Sequence, residues 1–261
     1  MTRMNCMQIK NPLRTFILYH LVAFFFFFSW YLSVTSWIWT EIDLFCFQKL
    51  NGLLENSPLS QVFWALGNLR VSDLFGALFM TTFSLIWVFE APKQERKSRL
   101  AGFIYLLIWF EIGILTLKEL IFPYLVSINF LRDSPSIIYS SSTIFLSDAI
   151  AWLKVKDSSH WSFPGDHALI ILQWAAFMSM FAGFRIGVMA YLSSLFFILP
   201  RLIAGAHWVS DALCGSLPMA LIIVAWATCT PLYQFSLCYI RKFLDLFTTG
   251  NRHEKPLRTS L

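Results

Sequence analysis

Long apolar runs separated by short clusters of charge set the layout of this chain. A helix crossing the hydrocarbon layer of a bilayer needs about 20 mostly apolar residues. Six stretches meet or approach that length: 15–39, 72–91, 100–117, 168–184, 186–203 and 212–233. The fourth and fifth are the shortest and flank Arg185, which predicts a tight helical hairpin with the arginine at its turn. Two stretches outside these runs differ in kind. Residues 41–71 place Leu44, Phe45, Phe47, Leu50, Leu53 and Leu54 so that a helix would have one apolar side, suited to the interface plane. Ser57 followed by Pro58 predicts a cap and first turn for the helix leading into the second span. Residues 124–166 form the longest polar segment, rich in Ser and Asp and weak in periodicity, as functional loops often are.

Composition agrees with the runs. Apolar residues make up 57% of the 261 and charged residues 13%, against about 25% charged in an ordinary soluble domain. The reading is an all-α integral membrane protein with six transmembrane helices, forming a single membrane domain over 1–261. The excess of five positive charges lies in juxtamembrane segments, so membrane lipids are the expected partners and nucleic acid is not. Cys6, Cys46, Cys214, Cys229 and Cys238 show neither paired spacing nor Cys-x-x-Cys, which suggests no disulfide framework and no zinc site. Residues 15–40 exceed the core of a signal peptide and lack a small-residue cleavage site, so they read as a retained first span.

Six crossings put both termini on one side. Thirteen Lys and Arg fall in the termini-side segments and seven on the opposite side. The bias predicts cytoplasmic termini, a basic cytoplasmic tail at 234–261, and an outer, periplasmic face carrying 41–71 and the long polar loop.

That outer face gathers the candidate chemistry. Arg201-Leu-Ile-Ala-Gly-Ala-His207-Trp-Val-Ser-Asp211 sits where the fifth span surfaces, and Phe163-Pro164-Gly165-Asp166-His167 leads into the fourth. A hairpin brings the two segments to one depth, and ionisable residues there are functional candidates by default. Two imidazoles, a guanidinium and a carboxylate suit phosphoryl transfer, which needs donors for the non-bridging oxygens, a nucleophile, and an acid for the leaving oxygen. His207 can be the nucleophile, with Asp211 one helical turn on to hold one ring nitrogen. His167 can be the acid and Arg201 a planar fork for phosphate oxygens. The backbone amides around Gly165 open a helix and favour an anion. No Gly-rich nucleotide loop, His-x-x-x-His or acidic cluster appears, so the scheme calls for neither metal nor organic cofactor.

On these residues the chain resembles the type 2 phosphatidic acid phosphatase family, membrane lipid phosphatases related to vanadium haloperoxidases. That family carries Lys-x6-Arg-Pro, Pro-Ser-Gly-His and Ser-Arg-x5-His-x3-Asp within a six-helix core, matched here over about 100–233. The third motif is present from Arg201 through His207 to Asp211, with Pro200 replacing the leading Ser. The resemblance implies a phosphohistidine at His207, support from Asp211, an acid at His167 and phosphate binding by Arg201. The second motif reads Pro164-Gly165-Asp166-His167, placing a carboxylate in the usual glycine position, where Asp166 would repel phosphate unless protonated, metal-paired or directed elsewhere. The first motif is reduced to Arg132-Asp133-Ser134-Pro135. Leu125 stands where its lysine belongs, and the nearest upstream lysine is Lys118. Arg132, Lys118, Gly165 and Asp166 are carried as phosphate-site residues.

Phe-Pro-Gly-Asp-His with Arg-x-Ser-Pro further resembles the subgroup that moves the distal phosphate of undecaprenyl diphosphate onto the 1-phosphate of lipid A. A polyprenyl diphosphate, lipid A or another lipid phosphate are the implied substrates. Hydrolysis of a lipid phosphate by water is the close alternative. A non-catalytic lipid-binding or transport protein is the alternative from another class, favoured by the eroded first motif and opposed by the intact third. Among the remaining polar residues, Arg70 and Asp73 are expected to pair at the membrane edge, Glu111 to pair with another span, and His160 to be solvated. Lys154 and Lys156 are open between attracting a headgroup and ordinary surface exposure.

Overall fold

The first apolar run breaks at Leu32, whose extended backbone (φ −75°, ψ 130°) ends one helix and begins the next. The computed structural model, which describes residues 9–55, 57–130 and 132–249, therefore has α1 (Pro12–Tyr31) and α2 (Ser33–Asn51) in place of one span over 15–39. The polar residues Thr35, Ser36, Glu41 and Asp43 explain the break, because a helix carrying them is costly to keep in hydrocarbon. A 3-10 turn at Gly52–Leu54 leads to α3 (Pro58–Gly67). The Ser57 hydroxyl accepts the Ser60 N–H at 3.1 Å and Pro58 fills the first turn, the predicted cap. That cap opens α3 alone, because a corner at Asn68 and Leu69 separates it from α4 (Arg70–Phe89).

α5 (Lys93–Leu115) runs through a π-helical turn (Thr116–Ile121) into α6 (Phe122–Ser127), one continuous helical stretch of 35 residues. The polar segment folds into two single turns, α7 (Pro135–Ile138) and α8 (Leu146–Ala149), and extended connections. Then come α9 (Asp166–Phe181) and α10 (Phe184–Ile203). A π-helical turn (Asp211–Ser216) opens α11 (Leu217–Cys229), and α12 (Pro231–Thr249) follows. Arg185 lies in the first turn of α10; the hairpin turn itself is Ala182 and Gly183, the latter at φ 90°.

Five helices are long and apolar enough to cross a membrane, and α9 is an apolar helix of 16 residues. The chain is an all-helical multi-pass membrane protein, with no strand among the described residues. The predicted count of six is compatible when α9 is taken as a short sixth. The expected basic tail at 234–261 begins as helix. Tyr233 and Leu237 of α12 are buried against Ala101 and Tyr105 of α5, and Phe235 and Tyr239 face outward. An ion pair of Lys97 with Asp245 ties the same two helices. Arg3 and Cys6, with His253 and the basic residues Arg252, Lys255 and Arg258, lie outside the described residues.

The core centres on α9, which packs against α5, α10 and α11. Its Trp174 is buried among Trp87, Leu106 and Phe177, and its indole N–H donates to Ser84 Oγ at 3.0 Å. A buried Trp contributes a large apolar area only if that N–H finds a partner. Asn51, 3% exposed at the end of α2, donates to the carbonyls of Ile144 and Ile203 and accepts the Ile144 N–H. Asn68 donates to the Pro200 carbonyl at 2.7 Å. These two side chains fasten α2 and the α3–α4 corner onto the end of α10, where the Arg201–Asp211 segment begins.

Candidate active site

His207 is positioned by the way α10 stops. Gly205 takes a left-handed conformation (φ 74°), the Ala206 N–H donates to the Arg201 carbonyl and the Gly205 N–H to that of Leu202. This crossed pair of bonds is a glycine-terminated helix end. A Cβ on Gly205 would stand 2.9 Å from the Phe47 ring, so the position requires glycine for space as well as conformation. The next helix begins at once. Trp208 is at its mouth, and the Asp211 Oδ2 accepts the Trp208 N–H at 2.8 Å, as the third-position acid of a capping box does.

The ring of His207 follows from these anchors. Its Nδ1 lies 2.8 Å from the Ser162 carbonyl and 3.5 Å from Asp211 Oδ2. A carbonyl only accepts, so Nδ1 carries the proton and Nε2 keeps its lone pair in the neutral ring. Asp211 is fully buried and its other oxygen accepts from Arg132 Nη1 at 2.6 Å.

Arg132 does not line the cavity that holds the histidines. Its guanidinium also donates to Asp43 Oδ2 at 2.7 Å and to Ser210 Oγ at 2.8 Å, and lies over the rings of Trp30 and Trp208 at 5.5 and 5.4 Å. Ser210 completes the cluster by donating its N–H and its hydroxyl to Asp43. Burial pushes the Asp43 carboxyl up from its ordinary value, and Arg132 and Ser210 pull it back in part. The expected phosphate ligand of the first motif is thus the counter-ion of two buried carboxylates. A planar fork matches two carboxylates better than an ammonium does. Sequence reasoning missed Asp43, Ser210 and Trp30 because they come from α1, α2 and the middle of a motif. An acid inside an otherwise apolar run was the available signal for Asp43.

His167 is the second residue of α9, which Asp166 opens behind the cap residue Gly165. The Gly165 carbonyl accepts the Ser216 hydroxyl at 2.7 Å, and its Cα side faces His207 Nδ1. The helix N-terminus expected to hold phosphate is already served: Asp166 Oδ1 accepts the His167 N–H at 2.8 Å. The carboxylate that would repel phosphate is in this way directed to its own backbone. Asp73 pairs across the site and not with Arg70. Its Oδ1 lies 3.0 Å from Arg201 Nη2 and 3.3 Å from His167 Nδ1, one oxygen shared by a guanidinium and an imidazole. Arg201 also donates to the Asn68 carbonyl at 3.0 Å.

His167, His207, Arg201, Lys118 and Asp166 line one cavity of about 1170 Å³. Gly165 and Asp211 join His167, Arg201 and His207 around its smaller annex. The two imidazoles, 40 positions apart, therefore open onto the same space. Arg70, Lys154 and Lys156 line it too, together with Glu111, which faces the cavity and forms no ion pair among the described residues. Ala77, Met80, Ile114 and Ile170 give the cavity an apolar wall along α4, α5 and α9. His160 stays outside it, 2.8 Å from Asp133.

A family model described as the PAP2 superfamily matches residues 130–235, the stretch that holds Arg132, both histidines, Arg201 and Asp211. A protein of Escherichia coli (strain K12), lipid A 1-diphosphate synthase, is 30% identical over 238 residues, covering 91% of this chain and 96% of its own length. The chain belongs to the PAP2 superfamily. It is a membrane lipid phosphatase or phosphotransferase, and its substrates are lipids. No solved structure matches the chain. The family model leaves out α1 to α6, so Asp43, Asp73 and Lys118 enter the site from outside the PAP2 match.

Proposed function

We propose that this PAP2 enzyme moves the distal phosphate of undecaprenyl diphosphate onto the 1-phosphate of lipid A through a phosphohistidine on His207. The observation that carries the reading is the commitment of His207 Nδ1 to the Ser162 carbonyl and Asp211, which leaves Nε2 as the nucleophile. Nε2 attacks the distal phosphorus, a P–N bond forms, and the P–O bond to undecaprenyl phosphate breaks. Asp211 balances the charge that develops on the ring. Arg201 and Lys118 hold non-bridging oxygens, beside the Gly165 backbone and Asp166. His167 supplies the proton for the departing oxygen. An oxygen of lipid A 1-phosphate, passing its proton to His167, then displaces Nε2. Arg132 acts through Asp211 as a positioning residue.

The distribution of basic residues supports cytoplasmic termini and a periplasmic site in a bacterial inner membrane, with residues 1–261 acting as one membrane domain. The name of the Escherichia coli relative supports lipid A as acceptor. The test uses purified protein in detergent with undecaprenyl diphosphate labelled on its distal phosphate, with and without lipid A. Label in lipid A is the expected result. Release as inorganic phosphate alone makes water the acceptor, and neither product leaves a lipid-binding role. His207→Ala is expected to lose at least about a thousandfold in either product at unchanged membrane expression.

A further inference from the structure

The cavity holds two kinds of cation. Arg201 is already paired with Asp73. Arg70, Lys154 and Lys156 are exposed, line the same cavity as His207, and form no ion pair among the described residues. They come from different parts of the fold, Arg70 from the first turn of α4 and the lysines from the connection ahead of α9. Most neighbouring carboxylates are committed elsewhere. Asp157 is buried and accepts the Ser147 N–H at 2.9 Å, and Asp73 holds Arg201. Asp166 accepts the His167 N–H and lies in the field of Lys156 without an ion pair among the described residues, and Glu111 lines the same cavity. The cavity volume of about 1170 Å³ also exceeds the range of roughly 300–1,000 Å³ usual for one small ligand.

We propose that Arg70, Lys154 and Lys156 form a second phosphate subsite, one that takes a lipid phosphate monoester and is used twice in each turnover. The inference rests on the phosphohistidine transfer reading above. In the first step the P–O electron pair leaves with undecaprenyl phosphate, and the P–N bond forms from the Nε2 lone pair. In the second step a lone pair of the acceptor phosphate makes the new P–O bond, and the P–N pair returns to Nε2. Displacement is in line at phosphorus, so leaving group and acceptor occupy the same position opposite Nε2. Both present the same chemistry there, a phosphate monoester on a lipid. One set of unpaired cations therefore serves the departing donor and the arriving acceptor. Water has no charge to engage it, so the subsite favours transfer over hydrolysis.

The experiment measures KM for undecaprenyl diphosphate and for lipid A in the wild type and in the triple variant Arg70→Gln, Lys154→Gln, Lys156→Gln. Both KM values are expected to rise about tenfold or more, by similar factors, with the ratio of transfer to phosphate release falling. A charge-preserving variant, Lys154→Arg with Lys156→Arg, is expected to recover most of the KM rise seen in a matched Lys154→Gln, Lys156→Gln variant, which separates loss of charge from misfolding. A rise in only one KM, or in neither, overturns the shared subsite. Should the wild type release phosphate without labelling lipid A, the transfer reading fails by itself. The subsite is then judged on the inhibition constant of undecaprenyl phosphate, which must rise in the triple variant together with the donor KM; an unchanged constant overturns it.

Discussion

Asp73 serves two partners with one oxygen, and its removal separates two roles that a phosphate site normally fuses. Its charge opposes an incoming phosphate but supports the imidazole of His167 and occupies Arg201. Asp73→Asn is expected to lower KM several-fold, because Arg201 is freed and repulsion falls, while kcat drops about tenfold or more through loss of support for His167. Steady-state kinetics on a labelled lipid diphosphate check it, and a KM that rises or a kcat that holds would contradict the shared-oxygen role. The Asp43–Arg132–Asp211 cluster predicts a different outcome. Asp43→Ala leaves the Arg132 charge short of a partner in a buried setting, so stability should fall by about 3–5 kcal/mol in thermal unfolding in detergent. At this scale the sequence spoke for His167, His207, Arg201 and Asp211, whose spacing is fixed by one hairpin. It gave Asp73 the wrong partner, Arg70, and was silent on Asp43, because their partners lie 128 and 89 positions away and nothing local marks such a pairing.

Helix ends do as much for the site as helix lengths. Gly205 closes α10 and sets the approach to His207 within two residues. Gly205→Ala should destabilise the protein by about 1–2 kcal/mol through the left-handed backbone alone, with further loss from the Phe47 contact, and activity should fall more than stability does. Comparing melting in detergent with turnover at a permissive temperature checks the order. The apolar runs predicted the positions of α4, α5, α10 and α11, since length and hydropathy suffice for a helix in a bilayer. They misplaced the first element, because periodicity does not register the break at Leu32. They also marked 124–166 as a polar loop of functional kind without showing its internal order, in which Arg132–Ser136 is clamped by Ser159, Ser162, Gly205 and Trp208 through hydrogen bonds remote in sequence.

The arrangement of the whole molecule predicts where reagents reach it. In a background lacking its native cysteines, Trp152→Cys, at a residue 77% exposed in the outer loop, should react with a membrane-impermeant thiol reagent in intact cells. Gln94→Cys, in the first turn of α5, should react only in inverted vesicles. The reverse pattern would turn the proposed orientation over. One dimension of the bundle has its own consequence. α9 has 16 residues and so reaches about 24 Å, short of a hydrocarbon layer of about 30 Å. In the proposed orientation, with one end at the level of Arg185, the His167 end would rest several ångströms beneath the headgroups. A phosphate already anchored by its own acyl or prenyl chain needs only to sink that distance sideways, whereas free nucleotides and sugar phosphates would have to shed their hydration and descend through grease. The shortness of a single helix thus makes the bilayer a sieve that sorts substrates before any side chain has touched them.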